Sequence, residues 1–227
     1  MVIDAGEEDD GAELTEFLRK SGVARVDVLI ITHFDKDHVG GADTLVEEFP
    51  IGRVLLPDYE GRDTEYTDFL DALAAKNMAP ERLTETAVFS LGAAEVRVEP
   101  PASYEAGSGE VDNNLSLITT VVHGENRLVF AGDAEKRRIR QWLADSEPGT
   151  CDFLKLPHHG VYNRGLEELV EALSPRYAAI CDSEKNPADS ATLELLAEHD
   201  VSVLETKDGR ITVFSDGARL EIHQKRQ

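Results

Sequence analysis

Ile30-Ile31-Thr32-His33-Phe34-Asp35-Lys36-Asp37-His38-Val39-Gly40-Gly41 is the stretch that decides how this chain is read. An apolar run, Val28-Leu29-Ile30-Ile31, leads into two histidines and two aspartates within six residues, and two glycines follow. Side chains of this kind at that density have little use in a core, because a buried charge needs a partner. A metal ion is the most economical partner. Imidazole together with carboxylate suits zinc, manganese or iron better than calcium or magnesium. The spacing is not the i, i+4 pair of a helical His-Glu-x-x-His site. It predicts instead that His33, Asp35 and Asp37 alternate along an extended loop at a strand end, with His38 directly after. A polar loop that merely holds two histidines is the competing reading, and the sequence of strand, Gly-Gly and helix weighs against it.

Outward from this stretch, apolar strands alternate with amphipathic helices. Val2-Ile3 reads as a strand ending at Asp4-Ala5-Gly6, followed by an acidic turn and a helix carrying Leu14, Phe17 and Leu18. Residues 42–49 form a short helix, 53–56 a buried strand, and Tyr66, Phe69, Leu70 and Leu73 a helical stripe of core residues. Strands follow at 87–89 and 96–98. Residues 100–114 are the least regular segment, and a loop that long is either disordered or functional. Strands 115–122 and 127–130 pair across His123-Gly124-Glu125-Asn126. Ile139, Trp142 and Leu143 line a helix whose basic residues, Lys136, Arg137, Arg138 and Arg140, read as a solvated face. Strands 153–156 and 177–180, two further helices, and short strands at 201–204, 211–214 and 220–222 complete the chain. Two sheets packed face to face with helices outside would bury all these stripes.

At 227 residues the chain suits one well-buried domain, read as spanning 1–227. No apolar run approaches the ~20 residues of a membrane span, and no signal-peptide pattern opens the chain. A cytoplasmic location is the default expectation. Cys151 and Cys181 read as buried thiols rather than a disulfide scaffold. The net charge of −22 opposes non-specific attraction to nucleic-acid phosphates or anionic lipid. Bound divalent metals would offset part of that locally, so nucleic acid is disfavoured as a substrate but not excluded. Oligomeric state is not readable.

Three polar clusters share one kind of address, just beyond the end of an apolar strand. They are His33 to His38 after Ile31, Gly132-Asp133 after Ala131, and His158-His159 after Leu156. Loops at one edge of a layered fold converge, and a site is built from distant sequence in that way.

His33-x-Asp35-x-Asp37-His38 resembles the first metal motif of the metallo-β-lactamase superfamily, His-x-His-x-Asp-His, with Asp35 in place of the second histidine. The aspartate variant followed by Val-Gly-Gly is similar to the branch containing the metallo-hydrolase domain of the DNA-uptake protein ComEC and small stand-alone hydrolases. The resemblance covers nearly the whole chain and implies an α/β fold, the four-layer αββα sandwich. In that family a hairpin precedes the first strand, so an N-terminal piece is expected to be missing here, and with it any anchor or signal that would make the protein extracytoplasmic. The family also implies two divalent metal ions, zinc first and manganese as an alternative. His33 and Asp35 would hold the first, Asp37, His38 and His158 the second, and Asp133 would bridge them. Asp35 should make the first site harder and weaker.

Other positions carry alternatives. Asn114, in Asp112-Asn113-Asn114-Leu115-Ser116, is a weak ligand or oxyanion donor, or else an ordinary turn residue. His159 should diverge from His158 and serve substrate or a supporting role. Lys185 and Asp189 stand where the ComEC-like branch carries a histidine that is absent here; if that histidine assists the leaving group in those relatives, Lys185 or Asp189 replaces it or the chemistry differs. Asp189 is equally well an N-cap. The resulting expectation is a hydrolase using a metal-bound hydroxide on an ester, first of all a phosphodiester or other phosphate ester, with Asp37, Asp133, His159 and Lys185 in the chemistry. Carboxyl-ester, lactone or amide hydrolysis, and a non-catalytic metal-binding or regulatory module, are the alternatives.

Overall fold

The computed structural model describes residues 1–103 and 112–225. It divides into two compact units. The first comprises Met1–Glu85 and the described part of Ser103–Leu117, the second Thr86–Ala102 and the described part of Ile118–Gln227.

In the first unit the chain runs β1 (Val2–Ile3), α1 (Asp10–Lys20), β2 (Val26–Ile30), α2 (Lys36–Val39), α3 (Ala42–Glu48), β3 (Ile51–Pro57), α4 (Thr64–Ala75) and β4 (Glu81–Leu83). The strands form one parallel sheet in the order β1-β2-β3-β4. Parallel neighbours need crossover connections, which the helices supply. Leu29 of β2 and Ile31, just beyond it, share one face through the strand's period of two. They pack with Val54 and Leu56 of β3, Leu45 and Val46 of α3, and Phe69 and Leu73 of α4. Val28, Ile30 and Leu55, of opposite parity, are buried as well. A strand buried on both faces reads as a continuous apolar run, and this explains Val28-Leu29-Ile30-Ile31.

The second unit contains β5 (Ala87–Leu91), β6 (Ala94–Glu99), β7 (Ile118–His123), β8 (Asn126–Phe130), α5 (Lys136–Ser146), β9 (Phe153–Lys155), α6 (Arg164–Leu173), β10 (Tyr177–Ile180), α7 (Ser190–Glu198), β11 (Ser202–Glu205), β12 (Arg210–Ser215) and β13 (Leu220–Lys225). Its seven-stranded sheet has the order β11-β10-β9-β8-β7-β6-β5. β5 to β8 pair antiparallel and β8 to β11 parallel. β12 and β13 form a separate antiparallel hairpin. Trp142, Leu154, Leu166, Leu169, Ala178 and Leu196 lie at the centre of this unit's own core. No helix among the described residues is long and apolar enough to cross a membrane.

Four local expectations are corrected. The metal-motif loop is not extended throughout. Asp35 is extended (φ −67°, ψ 145°), but Lys36–Val39 closes a helical turn, with the His38 and Val39 amides both bonded to the Asp35 carbonyl. Residues 113–115 form a 3-10 turn and the strand begins only at Ile118. β4 carries no apolar alternation and was invisible in the sequence; it is an edge strand paired to β3, with Leu83 as its one buried side chain. Finally, α5 does not turn all its basic residues to solvent. Arg138 is 1% exposed, donates to the Glu99 carbonyl at 2.6 Å and reaches Gln141, while the Glu99 carboxylate accepts from Trp142 and Ser146. Arg138→Ala should therefore destabilise the protein by roughly 2–4 kcal/mol, because buried acceptors lose a charged donor. A melting experiment showing less than ~0.5 kcal/mol, the range of a solvent-facing position, would return Arg138 to the surface.

Candidate metal centre

Each unit presents its own group of ligand-type side chains. In the first unit the group is organised by Asp4, at the end of β1, where the backbone takes the left-handed conformation (φ 59°) that L-residues rarely adopt. Its Oδ1 accepts the Thr32 amide at 2.7 Å and its Oδ2 the Thr32 hydroxyl at 2.8 Å. The same Oδ2 lies 2.7 Å from His38 Nδ1. Because the Thr32 hydroxyl proton is committed to Asp4, its oxygen accepts from His33 Nδ1 at 3.1 Å. Burial works to raise the Asp4 carboxyl, and His38, His33 and the Thr32 amide together hold it below the usual carboxylate range.

This chain of hydrogen bonds places a proton on Nδ1 of both histidines and leaves the buried His33 Nε2 as an acceptor without a hydrogen bond. A carboxylate behind a ligand histidine sets tautomer and ring orientation in this way. His33 is fully buried, its Nε2 makes no hydrogen bond, and Asp35 Oδ2 lies 3.6 Å away. The two rings lie 4.0 Å apart between centroids, and their ligand atoms fall within 4.8 Å of one another. Asp37 Oδ2 is 4.0 Å from His38 Nε2. A buried, unbonded imidazole lone pair beside carboxylates is what a divalent cation satisfies, and nitrogen with oxygen donors fits zinc or manganese.

The loop is braced from beneath. The Phe34 amide donates to the Tyr59 hydroxyl at 2.9 Å, and the Phe34 ring packs on Tyr59 and Tyr66. The glycines serve close approach rather than flexibility: a Cβ on Gly40 would stand 2.4 Å from the Lys36 carbonyl oxygen and 2.5 Å from the Glu8 amide nitrogen. Asn114 sits in the 3-10 turn, and Leu117 just beyond donates to the Thr32 carbonyl. The Asp112 carboxyl is raised, first by burial and then by Asp35. Residues 104–111 of the irregular segment 100–114 lie outside the described residues.

In the second unit Asp133 is the hub, with 3% of its surface exposed. Its Oδ1 accepts the His158 amide at 3.2 Å and lies 3.5 Å from Lys155 Nζ, which also donates to the Gly132 carbonyl. Its Oδ2 lies 3.3 Å from His159 Nε2. His159 Nδ1 donates to the Cys181 carbonyl at 2.7 Å, which turns Nε2 toward Asp133. The His158 ring turns instead to Glu135, 3.2 Å from its Nδ1. The two rings diverge as expected, with centroids 6.3 Å apart and an angle of 71°. The turn between them takes positive φ at both histidines, 45° and 51°, strain of the kind tolerated where a side chain must be aimed. It is His159, rather than His158, whose Nε2 is directed at Asp133.

The remaining candidates are placed as follows. Asp189 occupies the N-cap position of α7 but makes no side-chain cap; its carboxylate accepts the Tyr162 amide at 2.8 Å and so fastens the loop after the histidines. Lys185 is exposed beyond β10, and among the described residues no hydrogen bond or ion pair joins it to Asp133, His158 or His159. His123 Nδ1 is 2.9 Å from the Ser215 hydroxyl, a structural tie to β12. Asp4, Thr32, Tyr59 and Lys155 were missed by sequence reasoning. Only Asp4 carried a signal there, a lone carboxylate ending the first strand.

A family model described as the metallo-beta-lactamase superfamily matches residues 1–181. The chain belongs to that superfamily. ComE operon protein 3 of Bacillus subtilis is 28% identical over 196 residues, covering 85% of this chain and 25% of that protein. Recombination protein 2 of Haemophilus influenzae is 25% identical over 228 residues, covering 94% and 25%. The chain thus spans a quarter of the length of these relatives. Among solved structures, the metallo-beta-lactamase fold protein YhfI from Bacillus subtilis matches with a TM-score of 0.54 at 10% identity, covering 91% of this chain and 84% of that one, a likeness of fold alone. The ComEC-like resemblance and the metallo-β-lactamase fold expected from the sequence both hold. So does the broader class, a metallo-hydrolase-type protein carrying histidine and aspartate ligand groups.

Proposed function

We propose that this superfamily member is a divalent-metal-dependent hydrolase of phosphodiesters or other phosphate esters, with the 227-residue chain acting as one catalytic domain. His33, Asp35, Asp37 and His38 would share two metals, zinc or manganese, with Asp133 and His159, and Asp133 would be the bridge. The observation that carries the metal reading is the Asp4 carboxylate, which accepts His38 Nδ1 directly and fixes His33 Nδ1 through the Thr32 hydroxyl, beside a buried, unbonded Nε2 on His33. Two bound divalent ions supply Lewis acidity and lower the pKa of coordinated water toward neutrality.

The chain's own residues do the rest. Asp4 and Thr32 fix the imidazoles of the first unit, and the Cys181 carbonyl fixes His159. Lys155 balances the Asp133 charge and ties it to the Gly132 carbonyl. Of the two candidates for leaving-group assistance, Asp189 is held by the Tyr162 amide, whereas Lys185 is exposed, and its Nζ is the group we assign to deliver the proton. The phosphate ester is favoured because one relative carries recombination in its name and a positive dinuclear site suits an anionic ester. The net charge of −22 favours a short or externally neutralised substrate over a long polyanion.

The test is metal analysis of the purified protein with turnover of bis-p-nitrophenyl phosphate and of p-nitrophenyl acetate, before and after chelation and re-addition of zinc or manganese. Diester cleavage that is lost with chelator and restored by metal is expected. Preference for the acyl ester would assign a carboxyl-ester hydrolase, and bound metal without turnover of either would favour a binding module.

A further inference from the structure

Family matching ends at residue 181, yet the peptide that holds His159 joins Cys181 to Asp182 and is gripped from beyond that point. Its carbonyl, from Cys181, accepts His159 Nδ1 at 2.7 Å. Its amide, from Asp182, donates to the Thr206 hydroxyl at 2.8 Å. One peptide plane therefore has the imidazole on one side and Thr206 on the other. The Thr206 hydroxyl proton in turn goes to the Asp182 carbonyl at 2.8 Å.

The location explains why a side chain is needed. The parallel ladder of β10 and β11 ends with Ile180 opposite Glu205. Beyond it the backbones separate, and Thr206 supplies one further rung by accepting from and donating to the same residue. Lys207 locks that rung. Its amide donates to Asp182 Oδ1 at 3.2 Å, its Nζ lies 3.0 Å from Asp182 Oδ2 and also pairs with Glu205, and the Asp182 side chain is wholly buried. These two carboxylates, Glu205 first and Asp182 next, raise the Lys207 ammonium above its ordinary value, so it stays charged at working pH. A hydrogen bond whose acceptor peptide is itself bonded at its N–H is polarised and oriented by it.

We propose that Thr206, locked by Lys207 and Asp182, is a positioning residue for His159: it orients the 181–182 peptide so that Nδ1 stays protonated and Nε2 is presented as the metal-binding atom. This rests on the reading of His159 as a ligand. It gives the segment beyond residue 181 a part in the site. A carbonyl behind a ligand histidine fixes which nitrogen is free, and disturbing such a partner weakens metal binding by about 10–100-fold.

The experiment compares Thr206→Val, near-isosteric but without the hydroxyl, with Thr206→Ser in the full chain. The His159 tautomer is read by imidazole ¹⁵N shifts in the metal-free protein, with His159→Ala to assign the signals, and zinc affinity is measured by competition with a chromophoric chelator. The valine variant should show a mixed His159 tautomer and at least ~10-fold weaker zinc, and the serine variant should restore both. Should valine not fold, Thr206→Ala, which leaves space against the Asp182 amide, gives the same readouts. An unchanged tautomer in the valine or alanine variant would overturn the proposal, as would a serine variant as impaired as valine. If His159→Ala binds zinc normally the ligand reading fails, and the tautomer shift still decides whether Thr206 orients the ring.

Discussion

Asp133→Asn is expected to abolish hydrolysis, by about three orders of magnitude or more, while leaving the fold intact. Under the proposed ligand set it touches both metals, whereas every other ligand touches one, so occupancy of both sites should fall. By contrast, His33→Ala should mainly empty the first. The substitution keeps the shape and an oxygen for the His158 amide but removes the charge. The substitution has one structural cost: Lys155, 3.5 Å from Oδ1 and mostly buried, loses the Asp133 charge beside it. Its bond to the Gly132 carbonyl remains, so the metal-free protein should lose only about 1–3 kcal/mol. Metal stoichiometry with thermal melting, with and without chelator, measures both effects. Two tightly held metals and near-normal turnover would place the bridge on another residue.

Asp4 should be nearly as costly to change, although it is not a ligand. Asp4→Ala strands the Thr32 amide and His38 Nδ1 without their acceptor, at about 1–3 kcal/mol for each buried donor left unpaired. Asp4→Asn is more discriminating. An amide oxygen can still accept from Thr32, but the amide NH₂ facing His38 Nδ1 is a donor and would turn that imidazole to the other tautomer. His38 Nε2 would then carry a proton instead of a lone pair, and metal affinity should drop by about 10–100-fold. A titration of the apo-protein with zinc, alongside a melting curve, separates this from simple destabilisation. Wild-type affinity in Asp4→Asn would mean that the carboxylate serves the fold alone.

How much of this was legible without coordinates depended on how local each cause is. The apolar run ending at Ile31, the density of ligand-type side chains from His33 to His38, and the repeated placement of polar clusters after strands at Asp133 and His158-His159 are local patterns. They determined the fold class and the candidate ligands, because strand periodicity and ligand chemistry are properties of the residues themselves. What only the tertiary structure decided are partnerships across long sequence separations. Asp4 finds His38, Glu99 finds Arg138 and Trp142, and Thr206 finds the peptide after Cys181. Even the choice between neighbours was of this kind: His159 faces Asp133 because its Nδ1 is claimed by a carbonyl 22 residues on, while His158 turns to Glu135. A hydrogen bond's energy depends on where its partner stands and how dry the place is, and neither quantity is written at the residue that makes it.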